Sequence, residues 1–228
     1  MLADADLATV GRLLGDTHRA RFLLALFGGE ELTAGELAAR SGASSSLASA
    51  HLSKLLEAGL VKAERRGRER HYRLAGHEVA QAIEGVMAIA PAVAATGLRE
   101  VNRGRAIQQA RTCYDHLAGQ LGVSLADALE RDRLLAPLEE GWGLTPEGER
   151  RFARLGIELE ELRRQRRAFV RPCQDWTERR PHVAGALGAG IARRFFELGW
   201  VQRRPGSRAL RITDEGRRGL LASFAVRV

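Results

Sequence analysis

Cysteine is scarce: the 228-residue chain has two, Cys113 and Cys173. Two thiols cannot build a disulfide scaffold, so a reducing cytoplasm is the expected compartment. Long apolar runs are missing as well. The longest uncharged stretch, Gly85–Leu98, is 14 residues and contains Pro91. That is short of the roughly 20 needed to cross a bilayer, so no membrane partner is expected. The opening residues, MLADADLATV, lack a basic n-region and an apolar h-region, and no secretory signal is expected. Lysine is nearly absent, Lys54 and Lys62 being the only two among 36 basic residues. What is present, 45% apolar and 28% charged residues, excludes a disordered or fibrous chain. The length suits one large domain or two smaller ones.

The formal charge is +8, but its placement says more than its sum. Residues 1–37 carry −3, residues 38–75 carry +5, residues 76–100 carry −2 and residues 101–228 carry +8. The first hundred residues are neutral overall and sharply partitioned. All the surplus lies in the second half, where part of it reflects an arginine-, alanine- and glycine-rich composition.

The first half reads as short helices and one hairpin. Leu7, Val10, Leu13 and Leu14 have helical spacing, and Phe22–Phe27 forms a buried helix stopped by Gly28 and Gly29. Thr33 with Glu36 is a capping box for a helix over Ala34–Arg40. Ser44 caps a helix over Ser45–Ala58 that carries Leu47, Leu52, Leu55 and Leu56 on one face, with Gly59 at its end. Two alternating runs, Leu60–Arg66 and Glu69–Leu74, flank Gly67-Arg68 as a hairpin. Ala75–Thr96 reads as a long apolar helix bent at Pro91. Helix, tight turn, helix and basic hairpin form a winged helix-turn-helix, whose second helix enters the major groove while the hairpin reaches the flanking backbone.

The segment LTAGELAARSGASSSLASAHLSKLLEAGLVKAERRGRERHYRLA, Leu32–Ala75, preceded by GDTHRARFLLAL, resembles the ArsR/SmtB family of bacterial winged-helix repressors. The resemblance covers about residues 5–95. It implies a homodimer joined through the first and last helices, around Leu7–Leu14 and Val79–Ala95, on double-stranded DNA with a palindromic operator. The DNA-facing candidates are Ser44, Ser45, Ser46, Ser49, His51 and Lys54 on the polar side of the reading helix, and Arg65, Arg66, Arg68 and Arg70 around the glycine turn. The family's metal-sensing patterns are not matched. Leu32–Leu37 stands where a Cys-x-Cys often lies, and the last helix offers only His77 and Glu78 near its start, so His77 is read as a surface or capping residue.

Residues 101–228 contain an internal repeat. The pattern H-x-A-G-x-L-G occurs at His116–Gly122 and His182–Gly188. Cys-x-Asp precedes each, at Cys113–Asp115 and Cys173–Asp175, and T-x-E-G follows each, at Thr145–Gly148 and Thr213–Gly216. Each copy reads as helix, hairpin, helix, giving two degenerate winged-helix-like repeats over about 110–155 and 170–228, joined by a helix over Leu155–Val170. In the second copy the expected elements are a helix over Ile191–Leu198, a hairpin around Pro205–Ser207 and a Thr213-capped helix over Asp214–Phe224. The expected fold is mainly α with small β-hairpins (α+β), divided into a DNA-binding and dimerisation domain at 1–98 and an effector-sensing domain at 99–228.

Both cysteines occupy equivalent positions. If the Cys113 stretch is helical, His116 lies on the same side as Cys113. The effector-site candidates are Cys113, Asp115, His116, Cys173, Asp175, Trp176 and His182. Four readings stay open for them: small buried hydrophobes with ordinary hydrogen-bonded histidines, a small-molecule pocket, a site for a thiophilic ion on Cys113, His116, Cys173 and His182, or a regulatory disulfide. Trp142, Trp176, Trp200, Phe152, Phe195 and Phe196 line an apolar pocket or form plain core. No cofactor is assigned.

The leading expectation is a transcriptional repressor released by a ligand or signal sensed in the C-terminal domain. An alternative is an architectural DNA-binding protein that also uses Arg203, Arg204, Arg208, Arg211 and the RRQRR run at 163–167. Another is a redox or metalloid switch through Cys113 and Cys173. An enzyme built on Cys113, Asp115 and His116 is disfavoured, because such sets are assembled from distant segments.

Overall fold

The computed structural model describes residues 4–91, 94, 96–139 and 141–228. It divides into two compact units, Met1–Ile83 and Glu84–Val228. They meet within one helix rather than at the expected 98/99 boundary.

The first unit begins with α1 (Leu7–Leu14), capped by the Asp6 carboxylate on the Thr9 amide, and α2 (Thr17–Leu26), capped by Asp16 on the Arg19 amide. A two-residue strand, β1 (Leu32–Thr33), leads into α3 (Ala34–Ser41), where Thr33 and Glu36 close the expected capping box. Gly42, with φ +74°, ends α3 in the left-handed region and turns the chain into α4 (Ser45–Glu57), capped by Ser44. The wing is β2 (Val61–Arg66) and β3 (Glu69–Leu74), in the expected register of Arg66 against Glu69. β1 adds to the far side of β3, Leu32 pairing Tyr72, so the sheet has the order β1-β3-β2. Two residues are too short to show alternation, and this strand was not expected.

The core of this unit gathers Phe22, Leu23, Leu26, Phe27, Leu37, Ala48, Leu52 and Leu55, all nearly inaccessible. Each large side chain stabilises the unit by about 1.5–3 kcal/mol. The buried face of α4 is Ala48, His51, Leu52 and Leu55, while Leu47 is left exposed. The expected leucine face is therefore rotated: Ala48, one residue beyond Leu47, occupies the core position.

α5 (His77–Ile89) carries the chain into the second unit and ends ahead of Pro91, whose ring excludes the preceding residue from helical geometry. The rest of the expected helix is not helical where described, and Ala92, Val93 and Ala95 lie outside the described residues.

The second unit holds α6 (Leu98–Gln109) and then one order of elements twice. The first copy is β4 (Arg111–Cys113), β5 (His116–Ala118), α7 (Gly119–Arg131), β6 (Leu135–Leu138), β7 (Gly141–Leu144) and α8 (Pro146–Arg154). After the short α9 (Leu159–Arg163), the second copy is β8 (Arg171–Gln174), β9 (Pro181–Ala184), α10 (Gly185–Glu197), β10 (Val201–Arg203), β11 (Leu210–Ile212) and α11 (Asp214–Phe224). The expected helix, hairpin and helix appear in both copies, and each is preceded by a further hairpin that was not expected. α10 starts at Gly185, ahead of the expected Ile191. The connecting helix over Leu155–Val170 shrinks to α9: Gly156, at φ +77°, breaks it at one end and the RRQRR run at 163–167 leaves it at the other.

The repeated residues explain the repeated architecture. Thr145 and Thr213 cap α8 and α11, each accepting from the glycine three residues on and donating its hydroxyl to the chain before the second hairpin. At those glycines there is no room for a side chain: a Cβ on Gly148 would lie 2.3 Å from the Leu134 carbonyl, and one on Gly216 2.1 Å from that of Trp200. The unit's apolar core includes Leu121, Leu125, Leu129, Phe152, Leu187, Ile191, Phe195, Leu220 and Phe224, and it takes in Trp142 and Trp200. Those two tryptophans with Phe152 and Phe195 are thus core residues, Phe195 and Trp200 packing with ring centroids 4.8 Å apart.

Candidate functional site

In the first unit the exposed side of α4 presents Ser45, Ser46, Ser49 and Lys54. Ser44 is occupied as the helix cap and also lies 3.2 Å from the Ser46 hydroxyl. His51 departs from the expected DNA-facing row. It is buried, its Nδ1 3.2 Å from Arg19 Nη1 and 3.7 Å from Asp16, with Phe22 edge-on against its ring. Burial lowers its basicity below the ordinary imidazole range, Asp16 opposes this, and Arg19 adds to it. His51 therefore ties α4 to α2 and holds the reading helix in place.

On the wing, Arg65, Arg66, Arg68 and Arg70 are all exposed. They are not equivalent. Arg66 is engaged by Glu31 at 2.6 Å and Glu64 at 3.2 Å, so part of its charge is already answered. His77 opens α5 beside Glu78, 3.2 Å away, as a surface group.

In the second unit the four predicted thiol and imidazole groups converge. One donor atom each from Cys113, His116, Cys173 and His182 lies within 4.8 Å of every other, and all four residues are buried. The stretch from Cys113 to His116 is not helical. Cys113 pairs His116 across the β4–β5 hairpin, and Cys173 pairs His182 across β8–β9. The unequal sequence gaps in the two copies, three residues and nine, are loops of different length closing the same register. Two hairpins thus offer one Cys/His pair each.

The two imidazoles face each other through Nε2, 3.1 Å apart. Each turns its Nδ1 to the Asp of its own copy: His116 to Asp115 at 3.3 Å and His182 to Asp175 at 3.2 Å. Each Asp in turn holds an arginine, Arg167 on Asp115 and Arg111 on Asp175 at 2.7 Å. Asp175 also accepts from the Gly119 amide at the start of α7 and from Thr177 and Glu178. Arg111 lies over the Trp176 ring, 5.0 Å from its centroid. Both thiols donate to one carboxylate, Glu84 on α5, at 3.0 Å each. Arg171 reaches the same carboxylate at 3.5 Å.

The electrostatics follow from these contacts. The neighbouring Cys173 thiol, reinforced by burial, pushes the Cys113 thiol up and keeps it protonated. Burial works against charge on His116, but Asp115, Cys113 and Glu84 outweigh it and raise its pKa to about 9. Burial likewise disfavours an ionised Asp175, yet His182 and Arg111 hold it well below the usual carboxylate range.

Glycines make the convergence possible. A Cβ on Gly122 would lie 2.5 Å from the Leu117 carbonyl and 3.4 Å from Cβ of His182. One on Gly188 would lie 2.4 Å from the Val183 carbonyl and 3.2 Å from Cβ of His116. The glycine of each copy clears the way for the histidine of the other.

Sequence reasoning missed Glu84, Arg111, Arg167 and Arg171. Two signals pointed to three of them, Glu84, Arg111 and Arg171. Glu84 is the one acid between Glu78 and Glu100, in an otherwise apolar stretch. The cysteine motif also extends backwards to Arg-x-Cys-x-Asp in both copies, Arg111–Asp115 and Arg171–Asp175. Of the C-terminal arginines weighed for DNA, Arg203 lies over Phe196, Arg211 donates to Gln202, and Arg163 pairs with Glu149 and Glu160.

Residues 14–64 match a helix-turn-helix domain family. The chain is 43% identical over 212 residues to an uncharacterized HTH-type transcriptional regulator, YdfF, of Bacillus subtilis, covering 93% of this chain and 94% of that one. It is 39% identical over 92 residues to the HTH-type transcriptional regulator CmtR of Mycobacterium tuberculosis, covering 40% of this chain and 77% of that one. Among solved structures, the cadmium metal-sensor CmtR of the same organism aligns with a TM-score of 0.33 at 38% identity, over 40% of this chain and 94% of that one.

Proposed function

Because the chain belongs to the winged helix-turn-helix transcriptional regulators of the ArsR/SmtB kind, we propose that it is a repressor whose hold on DNA is set by the state of the buried cluster in its second unit. α4 enters the major groove with Ser45, Ser46, Ser49 and Lys54, and the wing lays Arg65, Arg68 and Arg70 along the flanking phosphates. Two copies bind a palindromic operator in the cytoplasm. Support for the homodimer comes from apolar side chains that α1 and α5 leave exposed: Leu7 and Val10 on the first, Val86 and Ile89 on the second.

The observation that carries the sensing role is the cluster of Cys113, His116, Cys173 and His182 beneath Glu84. Burying such groups costs stability that an apolar core would not, so the second unit keeps them for a task other than folding. No helix among the described residues is long and apolar enough to cross a membrane.

The test is fluorescence anisotropy with DNA from the protein's own promoter, beside a reporter driven by that promoter. Sequence-preferential binding, weakened in Lys54→Ala, and higher reporter output when the protein is absent are expected. Equal binding to unrelated DNA at moderate salt would sink the reading.

A further inference from the structure

We propose that Cys113 Sγ, Cys173 Sγ, His116 Nε2 and His182 Nε2 form a closed tetrahedral site for one zinc-class ion, a thiophilic divalent metal, with Glu84 beside it and not a ligand. Four independent features of the second unit converge on this.

The first is donor spacing. Bonds of about 2.3 Å to sulfur and about 2.0 Å to nitrogen put the corners of a tetrahedron roughly 3.3–3.8 Å apart. The four donors lie within 4.8 Å of one another, and the two imidazole nitrogens within 3.1 Å. A small adjustment of side chains brings all four onto one ion.

The second is chemistry. Two thiolates and two imidazoles are the set that selects zinc and its thiophilic relatives over magnesium or calcium, which take oxygen ligands. Four protein ligands in a buried centre leave no open position, which marks a structural or sensing site rather than a catalytic one.

The third is the surrounding layer. Each Nε2 points inward because the other ring nitrogen faces an aspartate, and each aspartate is fixed by an arginine. This carboxylate–histidine arrangement is the one that orients metal-bound histidines. The approach occurs in both copies, as a hydrogen bond for His116 and as a close ion-pair contact for His182, on hairpins of different loop length.

The fourth is the arrangement of the four donors around one carboxylate. They are satisfied by one another and by Glu84, which accepts from both thiols at 3.0 Å. A disulfide would join the two sulfurs and leave the facing imidazoles and their aspartates without a purpose.

Loading is a balanced exchange. The divalent ion enters, the two thiol protons and the proton held between the two Nε2 atoms leave to solvent, and two sulfur–metal and two nitrogen–metal bonds form. The two S–H donations to Glu84 are lost in the same step. The carboxylate then faces two thiolates and turns to Arg171, 3.5 Å away. Glu84 sits on α5, the helix through which the chain passes from the DNA-reading unit. That metal occupancy also alters DNA binding rests on the repressor reading above; the site itself does not.

The experiment uses the full chain, reduced and freed of metal with a chelator. Cobalt(II) is titrated as a spectroscopic stand-in, followed by competition with zinc. One equivalent per chain is expected, with intense tetrahedral d–d bands and a thiolate-to-cobalt charge-transfer band, all displaced by zinc. The charge-transfer band should vanish in Cys113→Ser/Cys173→Ser and persist in Glu84→Gln. Asp115→Asn should weaken zinc binding by about 10- to 100-fold. An octahedral spectrum, or no saturable binding to the wild-type chain, overturns the site whether or not the cysteine variant folds. Loss of the band in folded Glu84→Gln overturns the four-ligand set. Operator affinity is then compared with and without zinc: a tenfold or larger difference supports the coupling. An unchanged affinity overturns the sensing role in the repressor reading and leaves the metal site standing.

Discussion

In the DNA-reading unit the charges that matter stand outside. Lys54, Arg65, Arg68 and Arg70 are exposed, and the interior is apolar apart from Ser41 and the His51–Arg19 contact. In the second unit the order is reversed. Arg111, Asp175 and His182 are at most 1% exposed, with His116 and Glu84 close behind, while Arg131, Arg150, Arg163, Arg180 and Arg194 form local ion pairs nearer the surface. The contrast separates two uses of charge. Exposed charge meets a polyanion at little cost to folding and is screened by salt. Buried charge must be answered atom by atom, and it is kept where something has to be held at a fixed geometry.

The largest expected effect breaks the buried side of that comparison. Arg111→Ala leaves Asp175 charged with its ion-pair partner gone, and should cost the second unit about 3–5 kcal/mol. All three tryptophans lie in that unit, so urea unfolding followed by tryptophan fluorescence reads it separately from the first. A loss below about 1 kcal/mol would mean that Arg111 is dispensable to the cluster.

Next comes Gly188→Ala, which drives a methyl group into the Val183 carbonyl and towards His116. A destabilisation of about 1–3 kcal/mol is expected in the same measurement, together with weaker cobalt binding. Gly206→Ala is the control: its Cβ meets nothing within 4 Å, although its φ of +65° adds a local strain.

On the exposed side, removing Arg68 should flatten the dependence of operator affinity on salt by about 0.9 in the log–log slope, the contribution of one phosphate contact. Arg66→Ala should change it less, because Glu31 and Glu64 already engage that side chain. Equal slopes for the two variants would show that the wing's ion pairs open on binding.

The smallest effect concerns His51. Its folded pKa lies below its unfolded value, so the neutral ring's contribution is present above about pH 6.5 and is lost as pH falls through the lower folded value. Acidification should destabilise the first unit, and His51→Gln should blunt that sensitivity, as read by far-UV circular dichroism against the tryptophan signal.

Much of the first unit was legible in the sequence because its punctuation is local. Thr33 with Glu36, Ser44, Gly59 and Gly67-Arg68 each act within a few residues, and each sits where it was expected. The side of α4 taken by His51 was not legible, because an imidazole reads as polar until Arg19 and Asp16 are seen beside it. In the second unit the repeat and the Thr213 cap were visible, but the hairpins β4–β5 and β8–β9 were not. Strands of three or four residues show no alternation, and the spacing of Cys113 and His116 imitates a helix. Only the different spacing in the second copy hinted that the invariant is a cross-strand pair. Glu84 was out of reach for a different reason: its partners lie on two hairpins far along the chain.

The reciprocal clearances at Gly122 and Gly188 bear on the history and the divisibility of the second unit. Each copy is cut to receive a side chain of its sibling, so neither could drift after duplication without a matching change in the other. The pair behaves as one gene product folded against itself. Severed in the Arg164–Val170 link, the two pieces would each present an unfilled notch and a lone Cys/His pair, and would be fitted to recombine in trans.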